Sequence, residues 1–147
     1  MVDVLRAGEK NSDGPQAWLP VVAAALMTAD GLWLMHQRPA GKMYAGLWEF
    51  PGGKVEPSER PALSLVRELA EELGITVNAG SCQPALFAQQ AAHRGAGDIV
   101  LMLYIVSQWD GTPRALEGGD VAWLTPAEAL ALPMPPMDRD LAERLWR

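Results

Sequence analysis

Only one cysteine, Cys82, occurs in the 147 residues. An intrachain disulfide is therefore impossible, a reducing compartment is the expected one, and Cys82 reads as a small strand residue rather than a nucleophile. Basic residues are scarce as well: 12 Lys and Arg against 18 Asp and Glu leave a formal net charge of −6. No basic stripe runs along the chain, which argues against a nucleic-acid polymer as partner; a nucleotide that arrives with its own metal cation stays compatible. Long apolar runs are missing too. The stretch from Val21 to Met27 is far too short to span a bilayer and reads as a buried strand. Asp3, Glu9 and Asp13 precede it, where a secretory leader would be basic. No membrane partner and a cytoplasmic location are the expectations. Two histidines, His36 and His93, stand far apart without metal-ligand spacing and read as surface or strand positions. Internal repeats and low-complexity segments are absent.

Apolar residues, by contrast, make up 49% of the chain, in a length that suits one domain with a sizeable core. Residues 1–16 mix charges with Asn11, Ser12, Gly14 and Pro15 and read as a flexible leader; residues 17–147 form the domain. Trp18 to Thr28 and Leu32 to Arg38 read as strands joined by the turn Ala29-Asp30-Gly31, together a hairpin. Leu47 to Phe50 is a short strand ending at Pro51-Gly52-Gly53, which breaks regular structure and permits unusual backbone angles. The next segment predicts a helix from Ser58, as N-cap with Pro61 in the first turn, to Leu73, with Gly74 as its stop. Pro84 to Ala91, Ile99 to Trp109 and Val121 to Leu124 read as further strands. Pro126 to Leu132 reads as a short helix, and Asp138 as the cap of a last helix to Trp146. Trp33, Trp109 and Trp123 are expected as core residues in strands, while Trp48 stands beside the glycine turn.

The chemistry concentrates between Gly53 and Ile75. Glu68, Glu71 and Glu72 stand at i, i+3 and i+4, so a helix sets all three carboxylates on one face. Ala62, Leu65, Val66, Leu69 and Leu73 form the apolar face opposite. Like charges at this spacing cost helix stability, and a sequence that carries the cost has a cation to place among them. Mg²⁺, or Mn²⁺ in its stead, takes hard oxygen ligands and keeps several waters. Such an ion neutralises crowded phosphate oxygens and activates a water. The residues themselves thus predict a divalent-metal site and an enzyme built on it.

The same block resembles the signature of the Nudix hydrolases: a glycine, five residues, Glu, seven residues, Arg-Glu, an aliphatic, any residue, Glu-Glu, any residue, Gly, an aliphatic. Those places hold Gly53, Glu59, Arg67, Glu68, Leu69, Glu71, Glu72, Gly74 and Ile75, and nine restricted positions leave little room for chance. QRPAGKMYAGLWEFPGGKVE ahead of the box resembles the MutT branch, whose members hydrolyse nucleoside triphosphates. So does the spacing of QWDGTP, LEGGDVAW and PMPPMD after it. The resemblance runs from about Trp18 to the C-terminus. It implies an α/β fold, the Nudix α/β/α sandwich with a mixed β-sheet. It also implies a Mg²⁺-dependent pyrophosphohydrolase that releases a nucleoside monophosphate and pyrophosphate. Its substrate would be 8-oxo-dGTP or a related nucleotide, and its role the sanitising of the nucleotide pool. Glu68, Glu71, Glu72 and the backbone carbonyl of Gly52 would hold metal, with Glu117 joining from a later loop. Glu68 is the implied general base, with Glu117 and Glu59 as competitors. Arg67 is expected to pair with Glu59 or Glu71 and hold the loop on the helix. Arg38 either meets phosphate or is an ordinary surface arginine.

Base recognition falls to Asp138, at the place where MutT-like sequences carry Asn or Asp after a Pro-Pro pair. An ionised carboxylate only accepts hydrogen bonds. Asp138 therefore suits the N1–H and N2–H of guanine or 8-oxoguanine, or the amino group of cytosine, which brings in CTP or 5-methyl-dCTP as alternatives. Phe50, Met134, Met137 and Met102 are expected either to form an apolar wall or to be plain core. A hydrolase of ADP-ribose or another nucleoside-diphosphate-linked compound uses the same box. A non-catalytic nucleotide-binding module would be expected to lose box glutamates, and all are present. The sequence does not specify an oligomeric state.

Overall fold

The computed structural model describes residues 18–91 and 97–147; the leader expected at 1–16 and His93 lie outside the described residues. In chain order the elements are β1 (Trp18–Leu26), β2 (Trp33–Gln37), β3 (Trp48–Glu49), β4 (Gly52–Lys54), α1 (Pro61–Leu73), β5 (Cys82–Ala91), β6 (Asp98–Val106), β7 (Asp120–Leu124), α2 (Pro126–Leu130) and α3 (Pro136–Leu145). β1 is apolar along its length because both of its faces are covered. Val22, Ala24 and Leu26 enter one core, and Ala23 and Ala25 the other. β6 runs parallel to β1 over nine residues, from Asp98 opposite Trp18 to Val106 opposite Leu26. β4 and β5 close the sheet on either side as antiparallel neighbours, giving the order β4-β1-β6-β5.

Helix α1 covers one face through Leu65, Leu69 and Leu73, while α2 and α3 cover the other through Ala129, Leu141 and Ala142. The architecture is the α/β/α sandwich with a mixed sheet that the resemblance implied. Each fully buried leucine contributes about 2 kcal/mol. A like-charge pair at i, i+4 costs a few tenths, so the apolar face of α1 easily carries its acidic one. Gly74, at φ 71°, ends the helix with its N–H on the Ala70 carbonyl, the left-handed stop anticipated there. None of the described helices is long and apolar enough to cross a membrane.

Five expectations need correction. The hairpin does not form: β1 and β2 part after a single bridge between Met27 and Trp33, and β2 joins a separate antiparallel sheet in the order β3-β2-β7. Both edges of β1 are already paired, with β4 and β6, so no edge is left for β2. The Gly52-Gly53 pair is a strand, not a breaker, pairing with Ala23 and Val22. Neither residue is among those with positive φ. Their glycine character serves close approach instead, since a Cβ on Gly52 would lie 1.9 Å from the Val22 carbonyl oxygen. Ser58 is not the cap of α1. Proline bars the residue before it from helical angles, so Arg60 (φ −76°, ψ 144°) takes the N-cap position and Pro61 opens the helix. By the same rule Pro135 precedes α3 and Asp138 is its third residue rather than its cap. β6 also stops short of Trp109, which stacks on Trp123 at 5.7 Å between ring centroids.

Candidate active site

The carboxylate face of α1 lies against β4 because Gly53 has no side chain. A Cβ there would stand 2.3 Å from the Glu68 carboxyl carbon. Arg67 fixes this arrangement. Its Nε and Nη2 each donate to a Glu59 oxygen at 2.9 Å, and Nη1 donates to Glu68 Oε1 at 2.9 Å. Nη2 also reaches the Lys54 carbonyl at 3.2 Å, and Nη1 lies 3.4 Å from Glu71. The arginine thus ties the loop to the helix. Its bidentate grip, with Ser64 Oγ donating to the same carboxylate, holds the Glu59 carboxyl down at about 2 and occupies its oxygens. Glu71 is half-exposed and touches only Arg67 among these groups.

The loop after β6 supplies the other wall. Arg114 and Leu116 donate their backbone N–H groups to the Leu73 and Glu72 carbonyls at 3.0 Å, satisfying acceptors that a helix end leaves open. That docking brings Glu117 over the cleft. The resulting cavity of about 190 Å³ gathers Glu49, Glu68, Glu72 and Glu117 around the backbone of Gly52, with Arg38 and Lys42 at its rim. Burial raises the Glu68 carboxyl; Arg67 opposes the rise, while Glu71 and Glu117 add to it. Glu72 is pushed to about 7, chiefly by burial, against the pull of His36 and with Glu49 reinforcing it. Carboxylates crowded until they resist ionising form the donor set a hard divalent cation fits, because the ion reverses both causes.

A second cavity, of about 520 Å³, opens beside the first and shares Arg38, Lys42, Glu49 and Gly52 with it. Phe50, Leu101, Met137 and Asp138 line it, as do the exposed Met43 and Tyr44. Asp138 is 6% exposed and accepts the Phe50 N–H at 3.0 Å. Burial, with Glu49 adding to it, lifts this carboxyl to about 7. Two of the expected wall residues are elsewhere. Met134 packs in the core under α3, and Met102 sits on the α1 side of the sheet. Trp48 lines neither cavity; its N–H donates to the Pro133 carbonyl at 2.8 Å.

Three residues of the site were not anticipated: His36, Glu49 and Lys42. His36 is 4% exposed and lies in β2, so of the surface and strand positions expected for it the strand one holds. Its Nδ1 stands 3.1 Å from Glu72 and 3.4 Å from Glu49. Arg38 donates from Nη1 to Glu49 at 2.9 Å and from Nε to the Met43 carbonyl at 2.6 Å. The only signal available for Glu49 was an acidic residue set between Trp48 and Phe50 beside the glycine turn.

The NUDIX domain family model matches residues 18–145. The chain belongs to the NUDIX domain family. It is 42% identical over 123 residues to the CTP pyrophosphohydrolase of Escherichia coli, covering 83% of this chain and 87% of that one. To the 8-oxo-dGTP diphosphatase of Haemophilus influenzae it is 32% identical over 127 residues, covering 86% and 90%. The solution structure of the Escherichia coli ORF135 protein superimposes with a TM-score of 0.76 at 40% identity, covering 90% of this chain and 93% of that one. Nudix hydrolases generally use a divalent metal and act on nucleotide substrates, which accords with the cleft and its neighbouring cavity.

Proposed function

We propose that this Nudix hydrolase is a Mg²⁺-dependent nucleoside triphosphate pyrophosphohydrolase of the MutT type, releasing a nucleoside monophosphate and pyrophosphate. The supporting observation is the continuity of a carboxylate cleft with a larger, more apolar cavity across a rim that carries Arg38 and Lys42. A triphosphate fits the first and a base the second. Glu68, Glu71, Glu72, Glu117 and the Gly52 carbonyl are the metal ligands in this reading. A bound divalent cation there neutralises phosphate oxygens and lowers the pKa of a ligated water. Glu68 takes the proton of the attacking water at Oε2, since Oε1 is held by Arg67. Glu59 and Arg67 act as positioning residues, each through the other onto Glu68. Arg38 binds phosphate from the rim.

Asp138 reads the base. One oxygen is engaged by the Phe50 N–H, which leaves the other to accept from an amino or imino group. That suits 8-oxo-dGTP or a related guanine nucleotide. It equally suits CTP or 5-methyl-dCTP, the reading favoured by the 42% identity to a CTP pyrophosphohydrolase. The deciding experiment is a panel of dGTP, 8-oxo-dGTP, CTP, 5-methyl-dCTP and ADP-ribose with Mg²⁺, assayed for released pyrophosphate or phosphate. Pyrophosphate from a triphosphate is the expected product, and turnover of ADP-ribose alone would refute the proposal. Glu68→Gln is expected to lower kcat by about 10²–10⁴. Near wild-type turnover at saturating Mg²⁺ would remove Glu68 from the chemistry.

A further inference from the structure

The metal reading leaves one buried polar side chain of the cleft unused. His36 Nε2 lies 3.1 Å from the Gly118 carbonyl oxygen. A carbonyl only accepts, so Nε2 carries the hydrogen. Burial lowers the ring's pKa, but Glu49, Glu72 and the Gly118 carbonyl raise it overall, and when the ring is neutral a lone pair is left on Nδ1. That lone pair faces two more acceptors, Glu72 Oε1 at 3.1 Å and Glu49 Oε2 at 3.4 Å. Glu49 is held in this pose from behind, because Arg38 grips its other oxygen. All three donor atoms lie within 4.8 Å of one another. Ligand atoms bonded at about 2.1 Å to a common ion stand about 3.0 Å apart at octahedral angles and about 3.4 Å apart at tetrahedral ones. Both contacts of His36 fall in that interval.

We propose that His36 Nδ1, Glu49 and Glu72 hold a divalent transition-metal ion through mixed nitrogen and oxygen ligands, beside the all-carboxylate face and sharing Glu72 with it. The Gly118 carbonyl is the outer partner that sets the ring's tautomer and orientation, as is usual behind a metal-bound imidazole. Gly118 reaches this place because the loop docks on the end of α1. An imidazole ligand favours later first-row ions over Mg²⁺, so the position selects a different ion from the one that Glu68 and Glu71 favour. The inference rests on the metal reading of Glu72 and on no statement about substrate or turnover.

The test is Co²⁺ titration of the full chain, followed by calorimetry and by proton NMR of the paramagnetic complex. A Co²⁺-bound imidazole gives a strongly shifted, solvent-exchangeable N–H resonance, here from the Nε2–H held by Gly118. The wild type and His93→Gln are expected to show it, and His36→Gln to lose it. His36→Gln should also weaken Co²⁺ binding at least about tenfold and change Mg²⁺ binding by less than about threefold. Co²⁺ bound without that resonance, a resonance that follows His93, or unchanged Co²⁺ affinity in His36→Gln overturns the proposal. The last outcome is what a protonated His36 clamping the two carboxylates would give. Should His36→Gln fail to fold, the wild type and His93→Gln spectra still decide, since these are the chain's only histidines. Failure here is separable from failure of the pyrophosphohydrolase reading. Nitrogen-bound metal in a chain that hydrolyses nothing refutes that reading alone, and turnover without nitrogen-bound metal refutes only this one.

Discussion

Adding one methyl group at either of two adjacent glycines should have opposite consequences. At Gly52 a new Cβ would meet backbone only: the Val22 carbonyl oxygen at 1.9 Å, the Ala23 Cα at 2.6 Å and the Val22 carbonyl carbon at 2.8 Å. Val22 and Ala23 lie on β1, paired on both sides and packed on both faces, so they have nowhere to move. At Gly53 the new Cβ would meet only the end of the Glu68 side chain, the carboxyl carbon at 2.3 Å and its two oxygens at 2.5 Å. Ordinary contact begins near about 3.4 Å, so the carboxylate must retreat by about 1 Å, and a glutamate has the torsional freedom to do so. Neither glycine has positive φ, so alanine carries no backbone penalty at either site and gains about 0.4–1 kcal/mol from a less disordered unfolded chain.

Gly52→Ala is therefore expected to cost about 3 kcal/mol or more as an overpacked core. At this chain length that is a fall in Tm of about 6–12 °C. Gly53→Ala should melt within about 2 °C of the wild type while its kcat falls about 100-fold, the consequence of a 1 Å misplacement of a reacting group. The assays are thermal unfolding by circular dichroism and pyrophosphate release at saturating nucleotide and Mg²⁺. A Gly53→Ala protein with kcat within threefold of wild type would show that the Glu68 carboxylate does not need its position over Gly53. A fully stable Gly52→Ala would show that β4 does not press on β1 as described.

Two further outcomes follow from the charge of the site. Asp138 has its carboxyl raised from 3.8 to about 7; between those pH values the folded state keeps a proton that the unfolded chain has lost. Its contribution to stability is therefore complete below pH 3.8 and falls as pH rises through that window, levelling above 7. Asp138→Asn, which keeps an oxygen for the Phe50 N–H, should flatten the decline in Tm between pH 5 and pH 8; identical slopes in the two proteins would refute the account. Saturating Mg²⁺ at about 100 times its Kd should add about 2.7 kcal/mol, read as a rise in Tm of about 5–10 °C, and no rise with any divalent ion would sink the metal reading.

The parts of the fold that sequence made legible are those fixed by local periodicity or local sterics. Helix α1 was readable because its leucines repeat at helical spacing and Gly74 supplies a left-handed stop. The parts that failed are of two kinds. Ser58 and Asp138 were chosen as caps by residue type, but Pro61 and Pro136 dictate where each helix can start, and proline's constraint on its predecessor outranks side-chain preference. The β1–β2 hairpin failed because pairing between neighbours in sequence is only a tendency. β4 already holds the edge of β1 toward which β2 turns, where Ala24 donates to the Pro51 carbonyl at 2.8 Å and, further along, Thr28 donates to the Leu32 carbonyl at 2.9 Å. β6, more than seventy residues away, fills the opposite edge with a nine-residue parallel ladder.

His36 and Glu49 were illegible for a stricter reason. No spacing rule relates residues 36, 49 and 72. The first two meet because β2 and β3 pair in a register that sets His36 directly opposite Glu49, and opposed residues project their side chains on the same face. Glu72 reaches them from a helix on another layer. Strand periodicity is two, so a slip of β3 by one residue would put Trp48 or Phe50 opposite His36 and turn the carboxylate to the other face. It would also pull Gly52 and Gly53 out of register with β1, since they follow within four residues of Glu49. The two-residue strand is thus a shared hinge of both arrangements. It presents Glu49 to His36 and, one turn of chain later, lays bare glycine backbone under Glu68, which explains why an element so short is held by Arg38 on one side and by the Trp48–Pro133 hydrogen bond on the other.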